Sequence, residues 1–170
     1  MSKTEEWFDL VDVDGNVIGA APRRECHGNP DLMHPVAHVI VRDDAGNWLL
    51  QRRGLHKDVQ PGKWDTSVGG HFDRGETGEQ AAAREMREEL GITPELEFCY
   101  RYVWRSEIET ELVHTYSTTW NGSVTFAEDE IDEVRAWSPD EIRANLGKDV
   151  FTPNFELEFA QFTEHLENRA

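Results

Sequence analysis

Apolar and polar residues alternate with a period of two along several short stretches of this chain, and follow a helical period along three others. Trp7 to Val13 alternates as a strand does, Asp14-Gly15-Asn16 supplies a turn, and Val17-Ile18-Gly19 returns, which together predict a hairpin. Ala21 to Leu32 is rich in turn residues and reads as loop or short helix. His34 to Arg42 and Trp48 to Arg53 read as paired strands across the turn Asp43-Asp44-Ala45-Gly46-Asn47. After a loop over Gly54 to Lys63, Trp64 to Val68 predicts a short strand feeding a Gly69-Gly70 loop. Further on, Leu96 to Arg105, Leu112 to Trp120 and Val134 to Trp137 carry the β-branched and aromatic residues of strands, with Glu107 to Glu111 lying before the second of them.

The three helical stretches are bounded by recognisable caps. Thr77 with Gln80 forms a capping-box pair, the run from Glu79 to Leu90 consists of strong helix formers, and Gly91 supplies a stop. Ser138-Pro139 opens a second helix to about Leu146, with Ser as cap and Pro at the first position. Thr152-Pro153 repeats that opening, and Phe155, Phe159, Phe162 and Leu166 then fall on one face, the pattern of a core stripe. Strands interleaved with helices in this way predict an α/β chain, a mixed sheet sandwiched by helices.

Composition narrows the function classes. The chain has 170 residues, 38% hydrophobic and 30% charged, which suits one soluble domain. Its formal charge of −17 argues against nucleic acid or an anionic membrane as the main partner. A small anionic substrate remains compatible if a metal and a few basic groups offset the field locally. No apolar run approaches a membrane span, and the polar start MSKTEEW is no signal peptide, so the cytoplasm is the expected location. Cys26 and Cys99 fit neither a disulfide framework nor a CxxC site.

The chemistry concentrates on the central helix. Glu85, Glu88 and Glu89 stand at i, i+3 and i+4 and share one face. Like charges at that spacing cost roughly 0.2–0.5 kcal/mol per pair. They also lie toward the negative end of the helix dipole, where acids are disfavoured. Two readings follow: a solvated acidic face in an acidic chain, or a site where a divalent cation reverses the sign of the interaction. Clustered carboxylate oxygens suit Mg2+, with Mn2+ as an alternative.

The wider pattern favours the second. Gly70, five residues, Glu76, seven residues, then Arg84-Glu85-Met86-Arg87-Glu88-Glu89-Leu90-Gly91-Ile92 resembles the Nudix box at every defining position. The resemblance implies a Nudix-type α/β/α sandwich in a single domain over residues 1–170, with the box at 70–92. It implies Mg2+-dependent hydrolysis of a diphosphate linkage, in a nucleoside diphosphate or its derivative. Glu85 and Glu89 are then the strongest metal positions and Glu88 the next, and the same three acids are the catalytic candidates. A carbonyl at Gly69 or Gly70 adds a ligand, since glycine allows close backbone approach. Arg84, paired with Glu76, would orient the carboxylates. The general base stays open among Glu88, Glu89, Glu107, Glu109, Glu111, Glu128 and Glu130.

The region before the box resembles one branch of that family. Arg52-Arg53-Gly54-Leu55-His56-Lys57, with Pro61-Gly62-Lys63-Trp64-Asp65-Thr66-Ser67-Val68-Gly69-Gly70-His71, is similar to the branch that contains isopentenyl-diphosphate isomerases. In that branch the basic residues imply diphosphate contacts, which carry over to Arg53 and Lys57, with Arg52 beside them. The isomerases hold metal through three histidines and two glutamates. The matching positions are His27, His34, His71, Glu109 and Glu111, a second divalent site beside the readings of each as an ordinary structural or exposed residue. One departure points away from isomerisation: the isomerase cysteine is replaced by Gly69, which has no side chain to move a proton. The expectation is therefore a hydrolase, with an isomerase and a non-catalytic nucleotide-binding module as the rival classes. The expected partner is a small-molecule diphosphate, with Trp48, Trp64, Trp104 and Trp120 as candidate stacking faces, and the chain is expected to be a monomer or a homodimer.

Overall fold

Ten residues from Met33 to Arg42 form the strand that everything else is built on. The computed structural model describes residues 4–170; residues 1–3, part of the polar start read above, lie outside the described residues. A separate hairpin of β1 (Trp7–Val11) and β2 (Val17–Pro22) leads into a short helix α1 (Arg23–Cys26). Strand β3 (Met33–Arg42) is followed by β4 (Trp48–Arg53), β5 (Trp64–Asp65), β6 (Val68–His71) and helix α2 (Gly78–Leu90). Strands β7 (Glu97–Arg105), β8 (Thr110–Thr119) and β9 (Ile131–Trp137) precede helices α3 (Pro139–Asn145) and α4 (Pro153–Arg169).

The main sheet is mixed, as predicted. Its path is β5-β4-β3-β8-β7, with β6 added to β3 and β9 added to β4. Among the strands of the described residues, β3 and β8 are the one parallel pair, in register from Met33↔Thr110 to Arg42↔Thr119. Helix α2 covers one face, packing Ala81, Ala82, Met86 and Leu90 on Ala37, Val39, Val41 and Val68. Helix α4 covers the other, packing Phe155, Phe159 and Phe162 against Ile40, Trp48 and Leu50. The phenylalanine stripe is thus core packing, and Trp48 and Trp64 are core residues rather than exposed stacking faces.

The predicted caps form. Thr77 and Gln80 make both hydrogen bonds of the capping box, and Gly91 ends α2 in the left-handed region at φ 67°. Ser138 caps α3 through a box with Glu141, and Thr152 caps α4. One expectation is corrected. The strand expected over Trp64 to Val68 breaks after Asp65, and Gly69-Gly70 belongs to β6 rather than to a loop. The pairs Val36↔His71, Ala37↔Gly70, His38↔Gly69 and Val39↔Val68 fix this strand against β3. The glycines are needed there because both faces are crowded. A Cβ on Gly70 would stand 2.5 Å from each carboxylate oxygen of Glu85, and one on Gly69 would stand 3.3 Å from the ring of His38.

Candidate functional site

Strand β6 is the seam of the site. Among the described residues it pairs with β3 alone, and no strand lies along its outer edge. Phe72 N–H donates to Pro35 C=O, which makes His38↔Gly69 and Val36↔His71 the non-hydrogen-bonded pairs of the ladder. The N–H and C=O of Gly69 and His71 therefore turn outward. Two contacts agree: Gly69 N–H donates to Glu89 Oε2 at 3.2 Å, and His71 C=O accepts from Arg84 Nη2 at 2.9 Å.

On the α2 face, Glu85 and Glu88 share Arg84 as a partner and Glu89 does not. Glu89 is buried and accepts from Gln51 Nε2 (3.1 Å) as well as from Gly69. Glu85 lies against Gly70 and accepts from Arg84 Nη1 at 2.8 Å. Glu88 is turned outward, more than half exposed, and meets the same Arg84 nitrogen at 3.3 Å. Arg84 also binds Glu76 through Nε and Nη2 at 2.9 and 2.8 Å, the pairing the sequence led us to expect. Burial pushes the Glu89 carboxyl well above the ordinary range, against the two hydrogen bonds it accepts, and raises Glu85 as well. Glu130 adds negative charge beside both.

A second cluster lies on the opposite face of β6. Register pairing puts His71 beside Val36 and Gly70 beside Ala37, so His71 faces away from α2. There His27, His34, His71 and Glu109 bring one donor atom each within 4.8 Å of one another. His27 Nε2 is 3.3 Å from His71 Nε2 and 3.2 Å from Glu109 Oε2, and His34 Nε2 is 3.7 Å from the same oxygen. Both ring nitrogens of His34 are buried without a hydrogen bond. Phe8 stacks on His34 and His71 at 5.0 and 4.5 Å. Burial holds all three imidazoles neutral, His34 down to about 4 and His71 well below its usual value. Neutral imidazoles with orphaned nitrogens converging on a carboxylate are a donor set that fits a divalent cation. Glu111 is not among the four. It sits in register with His34 on the same side, and burial beside Glu109 raises it to about 8.

The basic residues divide. Arg53 binds Val59 C=O and Asp65 (3.5 Å) and lies close enough to Glu109 and Glu111 to oppose their raised pKa values. Arg52 projects elsewhere, to Glu133 at 3.7 Å and over the Trp64 ring. Lys57 is half-buried on the turn that its N–H closes with Gly54 C=O. The sequence reading missed Gln51, Asp65, His38 and Glu158, all of which touch this region. No local motif marks them, because each acts through a partner distant in the chain.

Comparison with known proteins agrees with the geometry. Residues 32–155 match the NUDIX domain family. An uncharacterised Nudix hydrolase of Yersinia pestis is 36% identical over 151 residues, covering 88% of this chain and 81% of that protein. An isopentenyl-diphosphate Delta-isomerase of Streptomyces griseus is 42% identical over 89 residues, 52% of this chain and 45% of the isomerase. The crystal structure of DR0079 from Deinococcus radiodurans superposes with a TM-score of 0.80 at 22% identity, covering 92% of this chain and 98% of that one. With the box on a capped helix, its acids against a glycine strand, and a family match over most of its length, this chain belongs to the Nudix hydrolases.

Proposed function

We propose that this protein is a divalent-cation-dependent pyrophosphohydrolase acting on a small diphosphate, in particular a nucleoside diphosphate or its derivative. The observation that carries the reading is the buried Glu89 carboxylate beside Glu85, both aimed at Gly69-Gly70, with no cationic side chain directly on Glu89 among the described residues. Two acids in a desolvated position, raised in pKa by burial, call for a cation or a proton. Glu85, Glu89, Glu88 and the outward C=O of Gly69 would hold Mg2+ or Mn2+ there. When bound, such an ion polarises a phosphoryl oxygen and lowers the pKa of a water. Arg84 restrains the acids: it fixes Glu85 and Glu88 and ties them to Glu76 and to the His71 carbonyl. Glu88, the most exposed of the three and held by Arg84 through one oxygen, would be the acid placed to take a proton from an attacking water. Arg53 and Lys57 are the candidate phosphate contacts, whereas Arg52 is engaged by Glu133.

The four-residue cluster His27, His34, His71 and Glu109 is read as a second divalent site, with Glu111 adjacent to it. Its donors come from separate elements and its imidazoles are neutral at physiological pH, as ligation requires. The isomerase alternative finds support in the partial match and in this cluster. It is disfavoured at Gly69, where a thiol side chain would press on the His38 ring.

A screen of nucleoside and non-nucleoside diphosphates with Mg2+, scored by phosphate release, tests the hydrolase reading. Glu89→Gln is expected to lower turnover by at least about 100-fold, while the chain stays folded. Absence of turnover on every diphosphate by the metal-loaded wild type would count decisively against the proposal, and isotope exchange at isopentenyl diphosphate would then point to the isomerase.

A further inference from the structure

Helix α4 buries one carboxylate that the hydrolase reading does not use. Glu158 has no exposed surface, yet it carries three hydrogen bonds from the sheet. Thr115 Oγ1 donates to Oε1 at 2.9 Å, Tyr100 O–H donates to Oε2 at 2.5 Å, and His38 Nδ1 lies 3.2 Å from Oε1. Thr115 and Tyr100 are paired across β8 and β7, so the carboxylate is held from two strands at once. One turn earlier on α4, Asn154 Nδ2 donates to the Tyr102 hydroxyl oxygen at 3.1 Å. A buried ion pair of this kind is seldom more stabilising than apolar residues of the same size. Its usefulness lies in fixing one ring in one orientation.

The ring so fixed is aimed at the seam of the site. His38 faces Gly69 in a non-hydrogen-bonded pair, where opposed side chains stand closest. The Cδ2–Nε2 edge of the imidazole lies over Gly69, at 3.3 and 3.5 Å from where a Cβ would be. Nε2 makes no hydrogen bond among the described residues, and the side chain retains 10% exposure. The other side of the same glycine, its N–H, is held by Glu89. Gly69 is therefore bracketed by a proposed metal ligand on one face and an oriented imidazole on the other, along an edge that no strand covers.

We propose that His38 is a ligand-contacting residue of this site, held by Glu158 so that its Nε2–H meets an oxygen of the diphosphate bound along the outer edge of β6. Glu158 acts through His38 and is a positioning residue. Nδ1 is the ring nitrogen that faces Glu158, which leaves Nε2 as the atom turned to the ligand. The inference rests on the diphosphate reading above and extends it to the α4 face.

The test uses the full chain labelled with 15N-histidine, loaded with Mg2+ and titrated with methylenediphosphonate, a diphosphate analogue that cannot be hydrolysed. The His38 resonances are identified as those that change in Glu158→Gln. On saturation the His38 Nε2 signal is expected to shift while that of His165, toward the end of α4, stays in place. His38→Gln is expected to weaken Mg2+-dependent binding of the diphosphonate by roughly tenfold or more, and Glu158→Gln by a smaller factor in the same direction. Should His38→Gln fail to fold, the wild-type spectrum and Glu158→Gln decide. A silent His38 signal at saturation, or undiminished affinity in folded His38→Gln, overturns the role of His38 and leaves the hydrolase reading standing. A wild-type protein that binds no diphosphonate with Mg2+ removes both.

Discussion

Single residues carry this site unevenly, and the two adjacent glycines of β6 show why. Gly70 has no room for a side chain, because a Cβ would meet both oxygens of Glu85 at 2.5 Å. Glu85 is itself anchored by Arg84, so it has little freedom to yield. Gly70→Ala should therefore push the carboxylate away from the strand and cost about 1–3 kcal/mol of stability. Denaturant unfolding beside a Mg2+ titration checks this, with weakened metal response expected even where the variant folds. The acids and the glycines were legible in the sequence because the box spacing is local. His38 and Glu158 were not, since 120 residues separate them and neither belongs to a motif. The same holds for Gln51, whose only signal is a polar residue directly after the apolar run Trp48-Leu49-Leu50. Arg52 differs from its neighbour Arg53 in its surroundings: it is paired with Glu133, whereas Arg53 meets Asp65.

At the scale of elements, helices were read more faithfully than strands. Caps are written in four or five consecutive residues, and those of α2, α3 and α4 all form. Thr77→Ala removes the side-chain acceptor for Gln80 N–H and one half of the capping box. The expected loss is about 1 kcal/mol, visible as a lowered melting temperature. Because α2 carries the acids, fraying of its first turn should also disturb Arg84 through Glu76, which lies just before the cap. Strand β6 escaped the sequence reading for the opposite reason. Alternation is a property of side chains, and two of its four residues have none. Its strand character comes entirely from pairing with β3, which no local pattern reveals.

The whole molecule is organised by burial of charge within an acidic chain. Glu111 is raised to about 8 and Glu89 well above its usual value, so the folded protein holds protons that the unfolded chain has released. Groups raised in the folded state contribute stability below the unfolded pKa and lose it as pH climbs through the folded one. The Glu111 contribution to the stability of metal-free protein should therefore fall as pH rises from about 4.5, the unfolded carboxyl value, through about 8. Urea titrations across that window should show the slope, and Glu111→Gln should flatten it. The burial that raises these acids also scatters their neighbours along the chain. The donors of the imidazole cluster come from the end of α1, from β3, from β6 and from the turn before β8. Glu109 does not meet the imidazoles until β3 and β8 have zipped together in parallel, a pairing of distant segments that forms slowly. A cation arriving at that proposed centre would act as a latch on a door already shut. Stopped-flow tryptophan fluorescence should show refolding at the same rate with or without a divalent ion, and unfolding slowed severalfold once it is bound.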